Sequence, residues 1–198
     1  MSGFTKDERQ QMLAKENIES NAIDLGFIDG DYETFTSKNG NEYSVISDNN
    51  YLLTVKLVSQ KAYAGYLAGF SQAEYLKELP SLQTSVKNFH NGTYRAFEVK
   101  GDSMDCDKKY AIQEGDIAIG RQLHQEMWKY KLHIHDYKEW IIVHDGGIII
   151  KHISAHDVEN GVIHCVSYND DKMIYPDFDL NLKDVYELYN VIKIEKFR

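Results

Sequence analysis

The chain has two prolines and two cysteines in 198 residues, and no apolar run long enough to cross a bilayer. Cys106 and Cys165 form no Cys-x-x-Cys pair, which removes a disulfide framework and a thiolate metal site from consideration. Free thiols in a reducing compartment are the reading that remains. The longest aliphatic stretch, Gly146 to Ile150, has the length of a strand, whereas a spanning helix needs about 20 residues. The opening residues, MSGFTKDERQQMLAKEN, are charged and polar and do not read as a secretory signal, so a cytoplasmic location is expected. Positive charge is also scarce: 22 basic residues stand against 31 acidic ones, a formal net charge of −9. Such a surface repels phosphate backbones unless basic residues are concentrated in one patch, and the sequence contains none.

What is present is an ordinary globular composition, 42% hydrophobic and 27% charged. Thr5 to Ile23 reads as one helix with a thin apolar stripe of Met12, Ile18 and Ala22. A helix-turn-helix needs at least two more apolar-faced helices, so residues 1–42 are expected to be a helical arm and linker. Residues 43–92 follow as a second segment. It holds short alternating runs around Asn49-Asn50, a stretch from Leu57 to Phe70 with two Ala-Gly pairs, and a short helix from Ser71 to Leu82. From residue 93 to 198 the pattern is β. Runs at Tyr94–Val99, Ile117–Arg121, Lys131–His135, Trp140–His144, Ile148–Ile153, Val162–Ser167 and Val185–Glu195 alternate with turns. Asp145-Gly146-Gly147 is a strong hairpin signal. The expected fold is mainly β: an antiparallel domain with a short N-terminal helical arm.

Three elements carry chemistry. Gly101-Asp102-Ser103-Met104 follows a strand directly, so a sharp turn could expose the Ser103 hydroxyl. The backbone N–H groups at Ser103 and Met104 could then hold an oxyanion. A serine in such a turn is more often only a turn or cap residue. In Ile148–Ile153 a strand period of two sets Ile149, Lys151 and Ile153 on one face. A lysine buried between isoleucines loses its proton readily and can act as a base. The alternative points Lys151 at water and its neighbours inward. Gln113-Glu114-Gly115-Asp116 is a turn feeding a strand, and needs no functional explanation.

Taken together, these elements resemble the LexA-type repressors and their relatives in the S24 peptidase family. VKGDSMDCDKKYAIQEGDIAIGR is similar to the family's serine motif, IIVHDGGIIIKHI to its lysine strand, and SYNDDKMIYPDF (Ser167 to Phe178) to its Ser-x-Asn loop. Roughly the last two-thirds of the chain is covered. The resemblance implies a LexA-like β-clip fold, Ser103 as nucleophile and Lys151 as general base. It further implies a transcriptional regulator that cuts itself at an Ala-Gly bond upstream of the catalytic domain. Ala64-Gly65 occupies that place, and Ala68-Gly69 fits less well because it lies closer to the expected helix. Small residues there would let an extended strand lie close in the cleft; a tight bend is the structural alternative.

Homodimerisation and induction by a recombinase filament are likewise implied by resemblance alone. Two departures stand out. An aromatic- and histidine-rich insertion, Leu123 to Tyr137, could carry a lid or a partner surface. A DNA-binding domain is also missing from the pattern, as in the UmuD mutagenesis proteins, so DNA contact would need a helix-turn-helix supplied elsewhere. No cofactor is expected, and the scattered histidines (His124, His133, His135, His144, His152, His156, His164) show no metal-ligand spacing. Three rival readings are a non-cleaving repressor dimerisation module, a signal-peptidase-like enzyme acting on other proteins, and a plain β domain.

Overall fold

The computed structural model describes residues 33–69 and 73–196, and the helix expected over Thr5–Ile23 lies outside them. The described chain is mainly β and divides into two compact units. Residues 43–92, expected as one segment, do not stay together. Of the described residues, those from Glu33 to Val55 and Ser81–Thr93 belong to the first unit, and those between Lys56 and Pro80 join those from Tyr94 onward in the second.

The first unit contains strands β1 (Thr34–Thr36), β2 (Glu42–Ser47), most of β3 (Asn50–Val58) and β4 (Ser81–Val86). Strands β1, β2 and β3 form a meander, and β4 pairs with β3. The β2–β3 hairpin turns at Asn49, which adopts a positive φ of 59°, a conformation asparagine tolerates. The unit is held by aromatic packing. Phe35 and Tyr43 stack at 5.4 Å, and Phe89 meets the Tyr43 ring edge-on at 4.8 Å.

The second unit begins with the end of β3. It continues through helices α1 (Tyr63–Gly69) and α2 (Ala73–Glu78) and strands β5 (Tyr94–Glu98), β6 (Ile117–Leu123), β7 (Glu139–His144) and β8 (Gly147–Asp157). Strands β9 (Val162–Val166), β10 (Phe178–Asn181) and β11 (Val185–Glu195) complete it. Within this unit the strand order is β3-β5-β6-β11-β7-β8-β9-β10. Every pair is antiparallel except β3 with β5, where Lys56–Val58 runs parallel to Arg95–Phe97.

Both faces of β7 and β8 are covered. Ile141, Val143, Ile148 and Ile150 point into one core with Phe97, Met104 and Tyr189. Trp140, Ile142 and Ile153 point into a second with Trp128, Ile163 and Cys165. This two-sided burial explains the unbroken run Ile148-Ile149-Ile150, since a strand wet on one face would alternate. The Asp145-Gly146 turn joins the two strands as expected, with His144 paired to Gly147.

Several expectations need correction. Lys131–His135 is no strand. Leu132 and Ile134 alternate and are buried, but the backbone folds back through bonds from Ile134 N–H to Leu132 O and from Tyr137 N–H to His133 O. Alternation here reflects two side chains dipping into a core from an irregular loop. The helix expected over Ser71–Leu82 is described only over Ala73–Glu78, and Ser81 already begins β4. Strand β10 was not foreseen. The insertion Leu123–Tyr137 closes the second core: Trp128 donates its indole N–H to the Leu123 carbonyl (2.9 Å), and Trp128, Leu132 and Ile134 are buried. The C-terminal run Val185–Glu195, expected as a strand, is β11 and lies between β6 and β7.

A buried polar cluster joins α1 to the sheet. Tyr66, with no exposed surface, donates to Glu187 Oε2 at 2.5 Å. Arg95 bonds the Tyr66 hydroxyl and lies 3.7 Å from Glu187 Oε1, which Gln122 also reaches at 3.2 Å. Removing one member of such a cluster strands the opposite charge away from water. Glu187→Ala is therefore expected to cost about 3–5 kcal/mol of stability, measured by urea unfolding. A loss below about 1 kcal/mol would show that the Arg95 charge is satisfied without it.

Candidate active site

The Ser103 turn is built from both ends. Strand β5 ends at Glu98, and Gly101 takes a positive φ of 76°, which a side chain would strain, so the chain can reverse before Ser103. Asp105 N–H closes the turn on the Asp102 carbonyl (3.0 Å). Met104 is buried at 2% exposure, and its carbonyl accepts from Ile112 N–H (2.9 Å), so the peptide after Ser103 is anchored to the core. The Gly115-Asp116 turn has a structural role: Val99 N–H donates to the Asp116 carbonyl, and Asp116 Oδ2 accepts the Gln113 N–H (2.9 Å).

Lys151 sits on β8 at 6% exposure. It pairs in register with Trp140 of β7, which is fully buried. Its same-face neighbours Ile149 and Ile153 both pack on the second core. Of the two readings of this strand, the structure has Lys151 buried between isoleucines, with both faces of β8 covered by the two cores. The Lys151 amine reaches Ser103, with Nζ hydrogen-bonded to Oγ.

Burial lowers the Lys151 pKa from 10.5 to about 8, because the ammonium loses more hydration than the neutral amine. Lys172 pushes in the same direction by like-charge repulsion, while the Asp177 carboxylate opposes it. The Cys165 thiol is itself pushed up to about 12 by burial, so it is protonated and uncharged near neutrality. The pair can therefore present a neutral amine to a hydroxyl within hydrogen-bond reach, the arrangement required for general-base activation of a serine.

The loop Ser167–Phe178 braces the Ser103 turn, a role its pattern does not assign to any one residue. In the structure Asn169 clamps the Ser103 turn, its amide donating to the Asp102 carbonyl (2.9 Å) and its N–H to the Ser103 carbonyl (3.1 Å). Asp171 N–H fixes the Asn169 side chain through Oδ1 (3.0 Å). Lys172 bridges the Ser167 carbonyl (2.6 Å) and Asp177 (2.8 Å), while Asp177 accepts the Ser167 N–H (3.0 Å). A signal was present in the density of Ser, Asn and Asp, residues that bond nearby backbone.

Ala64 and Gly65 do not lie in an extended segment. Both are exposed residues of α1. The reason is an apolar stripe at helical spacing: Tyr63, Tyr66 and Leu67 all pack on the first core. Gly65 and Gly69, the glycines of both Ala-Gly pairs, fall one turn apart and receive the Tyr75 ring of α2. A Cβ at Gly65 would come within 2.8 Å of the Tyr75 hydroxyl, and one at Gly69 within 3.1 Å of its ring. Among the described residues, no group of three or more His, Cys, Asp or Glu is arranged to hold a metal ion.

Comparison with protein-family models and with curated proteins found no match.

The shifted amine is directly measurable. In protein carrying isotope-labelled lysine side chains, the Lys151 signal should titrate with a midpoint near 8, whereas an exposed lysine titrates near 10.4. Below that midpoint the amine is charged, and above it neutral. A midpoint at the exposed value would mean that water reaches the amine.

Proposed function

We propose that the chain is a self-cleaving serine–lysine peptidase of the LexA and phage-repressor type, with a LexA-like β-clip catalytic domain. The observation that carries this reading is the hydrogen bond between Ser103 and a lysine amine held at 6% exposure among apolar walls. An isolated surface lysine would be charged at neutral pH and could not accept a proton. The order of serine turn, hairpin and lysine strand supports the same family.

In this reading neutral Lys151 takes the Ser103 hydroxyl proton as Oγ attacks the Ala64 carbonyl carbon. Backbone N–H groups of Ser103 and Met104 would hold the oxyanion. The Ala64–Gly65 C–N bond breaks as Lys151 returns its proton to the Gly65 amine, and water then hydrolyses the acyl ester. Tethering gives a weak nucleophile a high effective concentration of its own bond. Since α1 is helical, residues 63–69 must unwind before the bond can lie across the nucleophile. Seven residues make a marginal helix without tertiary packing, so unwinding chiefly requires loss of the Tyr63, Tyr66 and Leu67 contacts.

That helical state favours a second reading, a repressor-type dimerisation module that keeps the dyad without cutting. The glycines then serve only to seat Tyr75. A recombinase filament as inducer belongs to the self-cleaving reading, and a homodimer as the working form belongs to both. A helix-turn-helix supplied elsewhere would make any DNA contact.

Incubation at alkaline pH separates the two. Fragments ending at Ala64 and starting at Gly65 should accumulate, with a rate rising about tenfold per pH unit below the Lys151 midpoint and levelling above about 8. Ser103→Ala and Lys151→Ala should each reduce the rate by about 10²–10⁴. Intact mass after long incubation of folded protein supports the non-cleaving module.

A further inference from the structure

Strand β3 runs parallel to β5 in a fixed register: Lys56 pairs with Arg95, Leu57 with Ala96 and Val58 with Phe97. The ladder ends there, but its spacing carries on. Gln60 bonds Val99 across the same separation of 39 positions, its side-chain amide donating to the Val99 carbonyl at 2.7 Å. The Gln60 N–H donates to Glu98 Oε2 at 2.9 Å. The far side of this joint is fixed to the core. Val99 is buried, its N–H donates to the Asp116 carbonyl (2.8 Å), and its carbonyl also accepts from Gly115 N–H (3.0 Å).

Two arms of equal length leave the joint. Four residues along one lies Ala64, and four residues along the other lies Ser103. Four extended residues reach at most about 14 Å, so the joint confines both groups to one small volume. The same count leaves out the second Ala-Gly pair, because Ala68 has Asp107 as its counterpart, past the Ser103 turn. At rest the arms are not paired, since α1 is helical and the chain turns at Gly101.

The joint is placed to outlast the unwinding of α1. Gln60 lies in the single 3-10 turn Gln60–Ala62 ahead of the helix, and its N–H and side-chain amide bond the end of β5. Freeing residues 63–69 leaves both bonds standing. We propose that Gln60 is a positioning residue that sets the register of self-cleavage: held to Val99, it meters out the four residues that bring the Ala64 carbonyl, and not that of Ala68, to Ser103. Proximity lowers a barrier only when the reacting atoms arrive in line, so the joint governs which bond is cut as well as how fast. This inference rests on the self-cleavage reading.

The test follows self-cleavage above the Lys151 midpoint by mass spectrometry in the wild type, Gln60→Ala and Gln60→Glu. Labelling of Ser103 by a small fluorophosphonate reports on the dyad alone. The wild type should cut at Ala64–Gly65. Gln60→Ala should cut there about five- to tenfold more slowly and yield new ends at Ala68–Gly69. Gln60→Glu keeps the side-chain length but sets an acceptor against the Val99 carbonyl, and should behave as the alanine variant does. All three should label at the same rate. Either variant with the wild-type rate and a single cut overturns the proposal. So does a slower variant that still cuts solely at Ala64–Gly65, which means tethering without selection. Labelling that falls in step with cleavage means a disturbed Ser103 turn, and overturns it too. If Gln60→Ala does not fold, a chain with one alanine inserted after Lys61 carries the test. The joint then stays while Ala64–Gly65 moves one place out of register, so cleavage there should fall about tenfold or more, and an unchanged rate overturns the proposal. A wild type that stays intact throughout removes the underlying reading, whereas a cleaving wild type with indifferent Gln60 variants removes the role of Gln60 alone.

Discussion

A lysine amine denied its water is the constraint around which the second unit is arranged. An ammonium inside a protein is tolerated only when paired or neutralised, and Lys151 has a hydroxyl for a partner, with no carboxylate hydrogen-bonded to it among the described residues. The remedy is to let the proton go, and that becomes possible once both faces of β8 are covered. One face is covered by the core of Phe97, Met104 and Tyr189, the other by Trp140, Ile153 and Cys165. The loop from Leu123 to Tyr137 belongs to the same requirement. By seating Trp128, Leu132 and Ile134 on the second core, it keeps solvent from the face on which Lys151 lies.

The second theme is competition for one short segment. Residues 63–69 carry small side chains suited to a narrow cleft, but also three large ones at helical spacing, and the large ones decide the resting structure. Tyr66 is tied into a cluster with Arg95 and Glu187, and Tyr63 donates to the Glu98 carbonyl just before the Ser103 turn. Were the Ala64–Gly65 bond cut as proposed, folding energy and access to it would be drawn from the same side chains, and any gain in one would be a loss in the other.

Much of this was legible beforehand, for physical reasons. The serine turn, the hairpin and the lysine strand are local patterns, set by glycine conformation and a period of two, and they appear where the sequence set them. Lys151 was ambiguous because periodicity alone assigns a residue to a face without saying which face is wet. That depends on the far-off partners Trp140 and Cys165. Leu132 and Ile134 misled because burial can alternate along a loop. Helix α1 escaped because its signal lies in three bulky residues among small ones, and because the Arg95–Glu187 pair that anchors Tyr66 joins positions distant in sequence. Asn169 was visible as part of a motif, but its grip on Asp102 and Ser103 is a tertiary fact.

The topology of the second unit bears on what a broken peptide at Ala64 would release. Upstream of that bond, Lys56–Val58 is laced to β5, Lys56 Nζ donates to the carbonyls of Lys77 and Leu79, and Leu57 N–H donates to the Pro80 carbonyl. All those partners lie downstream. The two products would thus remain stitched together as a nicked fold, parting only when this strand peels away. Scission and separation are two events with separate barriers, and the second can be slower than the first.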